Sequence, residues 1–200
     1  MPIRENRTYR NIPIVLEARA EGTDPDYHVR GYASTFEPYV LYKNYDGVEI
    51  WERIDPHAFD EADMSDVIFL YNHTGMVYAR IKNGTLKVSI DEHGLHVDAD
   101  LSLTTQSREI YEAIESGLID QMSFAFTIRE ESYDRDTHTR TIQKVDKVYD
   151  VSAVSIPANP GTDIGVASRD YFNGVIEAEK AERLEREAEQ RDAEVREEIR

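Results

Sequence analysis

Apolar and polar residues alternate with a period of two along much of this chain, which is typical of β-strands that bury one face. Residues 67–71 are instead apolar throughout, and this run predicts a short strand buried on both faces. The string Asp91-Glu92-His93-Gly94 separates two alternating runs and predicts the turn of a hairpin. The complete set of predicted strands covers residues 12–20, 27–36, 48–54, 67–71, 85–90, 95–103, 122–128 and 141–156.

One internal segment has helical spacing instead. Ile110, Ala113 and Ile114 fall on one face of a helix, which Thr105 is suited to cap and Gly117 to end. Many antiparallel strands with a single internal helix predict a mainly β fold with flanking helices (α+β). We expect a closed or nearly closed antiparallel β-barrel with its helices outside.

The last segment of the chain is much more charged than the rest. From Asn173 onward the composition favours helix, but it offers few large apolar residues to pack against a domain. We therefore expect a flexible N-terminus over residues 1–10, a folded domain over residues 11–172, and a charged helical tail or linker over residues 173–200.

The formal net charge of −17 and the absence of cysteine narrow the range of functions. An acidic surface repels phosphate, so we expect no direct binding to nucleic acid and no docking on anionic membranes. Without cysteine there is no disulfide, no thiolate nucleophile and no zinc–thiolate site. No secretory signal is visible, and no apolar run approaches the ~20 residues that span a bilayer. The sequence thus predicts a soluble, intracellular protein.

Ser123 stands out within the strand predicted at residues 122–128. Met122, Phe124 and Phe126 form a bulky face that we expect to be core, so Ser123 points to the other side, between small neighbours. A serine with open space around it can attack a carbonyl if a base takes its proton. The same pattern also fits a serine on a solvated strand face.

Two further residues could complete a serine-hydrolase site. His73 ends an apolar strand, a position that holds and partly desolvates an imidazole, as a general base requires. A histidine that only bonds the local backbone would fit as well. Asp150 lies in the most apolar part of the last strand, so its carboxylate needs a partner there. That partner is either an imidazolium, which the acid would orient, or an arginine in a structural salt bridge.

His93 and His96 raise a different possibility, a metal-dependent hydrolase that uses them together with His73. Their spacing across Gly94 is not a known ligand signature on a strand, and histidines at an exposed turn explain it better. We therefore predict no metal ion and no other cofactor.

A series of short strings along the chain is specific in its order and spacing. The strings are Arg30-Gly31-Tyr32-Ala33-Ser34, Ile54-Asp55-Pro56-His57-Ala58-Phe59, Asn72-His73, Asp91-Glu92-His93-Gly94-Leu95, Gly117 with Gln121-Met122-Ser123-Phe124-Ala125-Phe126, Asp150-Val151-Ser152-Ala153-Val154, and Pro157-Ala158-Asn159-Pro160. Through them, over most of residues 12–168, the chain resembles the prohead proteases of tailed bacteriophages.

The resemblance implies a serine endopeptidase with the fold of herpesvirus assemblin, a β-barrel ringed by helices. It places the nucleophile at Ser123, the histidine at His73 and the third member at Asp150, where relatives commonly have glutamate. Ala125 stands where many relatives have glycine. Such enzymes act inside the assembling procapsid in the host cytoplasm. They cut scaffold segments or extensions of the major capsid protein, and often themselves, before DNA enters.

The resemblance also bears on the charged tail. Relatives can continue into a scaffolding segment or be fused to the capsid protein, so residues 173–200 could begin such a segment or be removed by self-cleavage. Related folds often need association to become active, which leaves self-association open. An alternative function is that of a catalytically inactive barrel that serves as a capsid scaffolding or interaction module.

Overall fold

The computed structural model describes residues 7–12, 27–155 and 166–198. Its strands are β1 (Thr8–Ile12), β2 (His28–Thr35), β3 (Tyr39–Lys43), β4 (Glu49–Ile54), β5 (Ile68–Tyr71), β6 (Thr74–Arg80), β7 (Leu86–Ile90), β8 (Gly94–Asp100), β9 (Gln121–Asp134) and β10 (Thr139–Val154), and its helices are α1 (Thr105–Glu115), α2 (Val166–Glu198) and a single 3₁₀ turn (Ile81–Asn83).

The long strand β10 organises the larger sheet. Along one edge it pairs antiparallel with β9 over nearly its whole length, and β9 pairs in turn with β1. On its other edge β10 pairs parallel with β4 near its start and parallel with β5 near its end. Strands β3 and β6 extend these two branches. Because β5 pairs with the end of β10, the turn after β5 lies beside that end of β10 and the part of β9 that pairs with it.

The smaller sheet contains β2, β8 and β7, in that order and all antiparallel. A hairpin turn joins β7 to β8, and the Asp91 carboxylate accepts hydrogen bonds there from the backbone N–H groups of His93 and Gly94. A Cβ atom at Gly94 would lie only 2.0 Å from the backbone oxygen of Ser34, at a bulge of β2. Glycine is needed here because the two backbones approach too closely for any side chain.

Both sheets and α1 share one core, in which the rings of Phe124 and Phe126 stack with their centroids 4.4 Å apart. Helix α1 contributes an apolar stripe that includes Ile110 and Ile114. Its first turn is capped by Thr104, whose side chain accepts from the backbone N–H of Ser107 at 3.0 Å. The cap is thus one residue earlier than the predicted Thr105.

A second, smaller core joins α2 to the β3–β4 hairpin. Phe172 and Ile176 of α2 are buried against Leu41, Tyr42 and Ile50. Beyond this contact the described side chains of α2 are mostly exposed. The division of the chain at residues 10 and 172 stays a prediction. No helix within the described ranges is both long enough and apolar enough to cross a membrane.

Several predicted elements are confirmed. The predicted hairpin over residues 85–90 and 95–103 corresponds to β7 and β8, and the apolar run at residues 67–71 corresponds to β5. Strands β4, β9 and β10 also lie where the alternation placed them. The strand predicted at residues 12–20 falls, apart from its first residue, outside the described residues.

The prediction of a closed antiparallel barrel is wrong for the part of the chain that the structure describes. The fold is mainly β with helices, but its strands form two separate sheets, and the larger sheet is mixed and open. Alternation of apolar and polar residues reports which face of a strand is buried. It carries no information on the direction of the neighbouring strand, and the parallel neighbours of β10 come from distant parts of the chain.

Candidate active site

Ser123 lies on β9 between Met122 and Phe124, whose side chains enter the core on the opposite face. Its direct neighbours across the sheet are Ser152 on β10 and Asn11 on β1. The prediction that Ser123 faces away from the bulky residues is confirmed. However, the side chain does not face open space, because Ser123 is 0% exposed to solvent.

His73 is held by the turn between β5 and β6. Tyr71 pairs directly with Thr74, so Asn72 and His73 are the two residues of a tight hairpin loop, with φ values of 50° and 55°. Positive φ at both loop residues is the signature of a type I′ turn. The left-handed conformation is uncommon for residues other than glycine, although Asn and His adopt it more readily than most, and such residues cluster at functional sites. The turn thus fixes the imidazole at the end of β5.

Asp150 projects from β10 at an irregular point of the sheet. The register with β9 shifts between Val148 and Asp150, so that Asp150 pairs with Ala125. Such bulges re-aim side chains and are common beside active sites. Beyond the shift, Asp150 and Ser152 lie two residues apart and on the same face as Ser123. The Asp150 side chain is 3% exposed.

These three residues form a continuous chain of hydrogen bonds. His73 Nδ1 lies 2.6 Å from Asp150 Oδ1, and His73 Nε2 lies 2.6 Å from Ser123 Oγ. An ionised carboxylate can only accept, so Nδ1 carries a hydrogen and donates a hydrogen bond to Asp150. Nε2 is then left as the acceptor for the Ser123 hydroxyl. This is the geometry of a Ser-His-Asp triad, in which the imidazole can take the proton of the hydroxyl during attack.

A fourth residue, Ser152, connects to two members of this chain. Its hydroxyl donates to Asp150 Oδ1 at 2.8 Å and lies 3.2 Å from His73 Nδ1. Its oxygen also accepts from the backbone N–H of His73 at 3.3 Å. Sequence reasoning did not single out Ser152, although its position two residues after Asp150 places both side chains on one face of the strand. That spacing is the signal that could have found it.

The first strand covers the site. The ring of Tyr9 meets the ring of His73 edge-on, with centroids 4.7 Å apart. The backbone oxygen of Arg10 accepts from Ser123 Oγ at 2.9 Å. Neither contact could be predicted from a pattern of residue types, because one depends on a backbone carbonyl and both depend on the pairing of β1 with β9.

The other candidate histidines lie elsewhere. His96 lies on β8 of the smaller sheet and His93 in the turn before it, and both rings contact Tyr32. In the described part of the chain no group of three or more His, Asp or Glu side chains is placed to hold a metal ion. The structure therefore does not bring His93 and His96 together with His73, as the metal-hydrolase alternative required.

Comparison with protein families places the chain among the serine peptidases. Residues 15–174 match the model of the caudovirus prohead serine proteases. The chain belongs to this family, and the resemblance seen in the sequence strings is confirmed. A search of curated proteins gives no match, and a search of solved structures gives none either. The likeness to the assemblin fold stays a prediction.

Proposed function

We propose that this protein is a serine endopeptidase that cleaves extensions of the capsid protein, or the scaffold, inside the phage procapsid during head maturation. Ser123 is the nucleophile, His73 the general base and Asp150 the acid that orients the imidazole. The observation that carries the proposal is the unbroken hydrogen-bonded chain from Asp150 through His73 to Ser123. Membership in the caudovirus prohead serine protease family supports a capsid or scaffold protein as substrate and the procapsid in the host cell as the place of action.

The reaction follows from the three side chains. His73 Nε2 takes the proton of Ser123 as Oγ bonds to the scissile carbonyl carbon. Asp150 stabilises the resulting imidazolium through Nδ1. The tetrahedral intermediate collapses, the C–N bond breaks, and His73 donates the proton to the departing amine. Water then attacks the acyl-enzyme with His73 again as base, which releases the new carboxyl end and restores Ser123.

The proposal is tested by co-expression with the capsid protein of the same phage. Wild-type enzyme should shorten the capsid protein, and Ser123→Ala should leave it at full length with no change in melting temperature beyond a few degrees. The matched control is Ser132→Ala, which alters an exposed serine on the same strand and should process normally.

A serine-directed fluorophosphonate gives an independent measurement. Intact-mass analysis should find one adduct on the wild-type chain and none on Ser123→Ala. Normal capsid processing by Ser123→Ala would refute the assignment of the nucleophile. Absence of both processing and labelling in every variant would favour the alternative, an inactive scaffolding or interaction module.

A further inference from the structure

The nucleophile of the proposed site is closed off by the protein's own N-terminal strand. β1 pairs antiparallel with β9, so that Asn11 lies opposite Ser123 and Tyr9 lies opposite Ala125. Ser123 is fully buried, and the His73 side chain is only 14% exposed. A scissile carbonyl must come within about 3–3.5 Å of the attacking oxygen. With β1 in place, a peptide backbone already fills that position.

β1 also competes for the proton on which attack depends. Ser123 Oγ carries one hydrogen and has two acceptors in reach, the backbone oxygen of Arg10 at 2.9 Å and His73 Nε2 at 2.6 Å. A hydroxyl can donate to only one acceptor at a time. Whenever Ser123 donates to Arg10, His73 cannot act as its base. The strand therefore hinders Ser123 in two ways: it blocks the approach of a substrate carbonyl, and its own carbonyl competes with His73 for the hydroxyl hydrogen.

Arg10 is anchored on its other side by a buried ion pair. Its guanidinium donates from Nε and Nη2 to the two oxygens of Glu52 at 2.5 and 2.9 Å, and Glu52 is 0% exposed. Two-point pairing of arginine with carboxylate is among the strongest and most directional of side-chain contacts. The same residue thus places its carbonyl on Ser123 and ties β1 to β4.

We infer that β1 is an inhibitory strand. It occupies the edge of β9 beside Ser123, where an extended substrate segment pairs with the sheet, and it leaves that edge before cleavage. Addition of an extended peptide to a sheet edge is a common mode of peptide recognition, and here the chain supplies the resident strand itself. The inference rests on the proposed function of Ser123 as nucleophile.

A reversible crosslink tests the inference directly. The chain contains no cysteine, so the double variant Tyr9→Cys/Ala125→Cys offers a single thiol pair. Directly opposed residues of antiparallel strands lie at Cα separations that a disulfide spans. We expect the oxidised protein to react with the fluorophosphonate at Ser123 at least tenfold more slowly than the same protein after reduction. Equal rates before and after reduction would overturn the inference.

Loss of the ion pair between Arg10 and Glu52 should free β1 and so have the opposite effect to the crosslink. Arg10→Ala removes the tie to Glu52, and we expect labelling of Ser123 at least fivefold faster than in the wild type. The matched control is Arg140→Ala, which removes the other arginine on Glu52, at 3.1 Å, without touching β1. Equal acceleration by both variants would mean general loosening of the fold and would count against β1 as the inhibitor.

Failure of β1 as inhibitor and failure of Ser123 as nucleophile give different labelling results. If Ser123 is labelled in every protein at one rate, the inhibitory strand is refuted and the nucleophile stands. If Ser123 is labelled in none, including the reduced double variant and Arg10→Ala, the proposed function fails and the inference falls with it. Melting curves of each variant establish that the proteins compared are folded.

Discussion

Ser152 holds the base and the acid of the proposed triad with a single buried hydroxyl group. It donates to the Asp150 carboxylate and accepts from the backbone N–H of His73, so both residues are fixed relative to β10. Ser152 lies directly opposite Ser123 across the sheet, but its described side-chain hydrogen bonds go to His73 and Asp150. We therefore expect Ser152 to position His73 and Asp150, since loss of its hydroxyl would remove the acceptor of the His73 backbone N–H.

Ser152→Ala should slow labelling of Ser123 about tenfold, which corresponds to roughly 1.4 kcal/mol, within the cost of one unsatisfied buried group. Ser152→Thr keeps the hydroxyl and should recover part of the rate. The rates are measured with the fluorophosphonate at fixed pH. A purely structural role would lower the melting temperature of Ser152→Ala while the labelling rate of the folded protein stayed unchanged.

Local patterns in the sequence made Ser123, His73 and Asp150 candidates, and the family resemblance then assigned their roles. A serine beside bulky core residues, a histidine at the end of an apolar strand and an acid within an apolar strand all call for explanation. Ser152 is an ordinary strand residue, and only its spacing of two from Asp150 marks it. The carbonyl of Arg10 was out of reach, because a backbone carbonyl has no residue type to mark it.

At the scale of elements, the two-residue turn between β5 and β6 decides where His73 lies. Asn72, the first residue of the turn, suits positive φ and also ties the turn to the end of β10. Its amide oxygen accepts from the backbone N–H of Ser155 at 3.2 Å, and its own backbone N–H donates to Ala153 at 3.0 Å. The turn is thus clamped to the strand that carries Asp150.

Two substitutions of Asn72 distinguish the effect of its positive φ from the effect of its side-chain hydrogen bond to Ser155. Asn72→Gly retains positive φ, so we expect a labelling rate within about threefold of the wild type. Asn72→Val forces a β-branched residue into the left-handed region, at a cost on the order of 1–3 kcal/mol, and should slow labelling more than tenfold by displacing His73. Thermal melts and labelling rates of the two variants provide the comparison. Equal rates for glycine and valine would show that the turn conformation does not position His73.

Strands that show an alternating apolar face, or an unbroken apolar run such as β5, were predictable, and β1 and β6, which show neither, were missed. Strand β6 is exposed over most of its length, so its residues carry no alternation. Strand β1 buries Arg10 in an ion pair with Glu52, and an arginine gives no apolar signal in the sequence. The parallel placement of β4 and β5 beside β10 was equally out of reach, because it depends on long-range packing and not on local pattern.

At the scale of the whole molecule, a buried cluster of charges links β1, β4 and β10. Glu52 lies at its centre, with Arg10 on one side and Arg140 on the other, and with the hydroxyl of Tyr39 as a further donor. Burial alone would raise the pKa of Glu52, but the two guanidinium groups and the Tyr39 hydrogen bond outweigh it and hold the pKa below its ordinary value. Burial and the charge of Glu52 raise the pKa of Tyr39.

This cluster makes folding stability depend on pH. A carboxyl whose pKa is lowered in the folded state stabilises the fold above its unfolded pKa of about 4.3, and that stabilisation is lost as pH falls further toward the folded pKa. Glu52→Gln removes one partner of a buried ion pair, which costs about 3–5 kcal/mol at neutral pH. We expect a lower melting temperature at pH 7 and a smaller further drop between pH 5 and pH 3 than in the wild type.

The control for this prediction is Glu131→Gln, which removes the more exposed carboxylate that also pairs with Arg140. Exposed pairs contribute little, so its melting temperature should stay within a few degrees of the wild type. The measurement is a series of thermal melts from pH 7 to pH 3. If Glu52→Gln loses as much stability as the wild type between pH 5 and pH 3, another carboxyl is responsible for the acid sensitivity.

The order of strands along the chain has a consequence for how the molecule folds. β9 and β10 form a local hairpin, so Ser123 and Asp150 come onto neighbouring strands early, whereas 77 residues separate His73 from Asp150 and 113 separate Arg10 from Ser123. Closing longer loops is entropically more costly and slower. We expect the nucleophile and acid to meet first, the base to join them next and β1 to dock last.

A folding chain should therefore pass through a brief interval in which the three side chains are assembled and the strand that covers them is still free. Pulsed hydrogen exchange during refolding would detect this interval as protection of β9 and β10 ahead of β1. Synthesis itself would then give each new molecule one short opportunity to act on a neighbour before it closes.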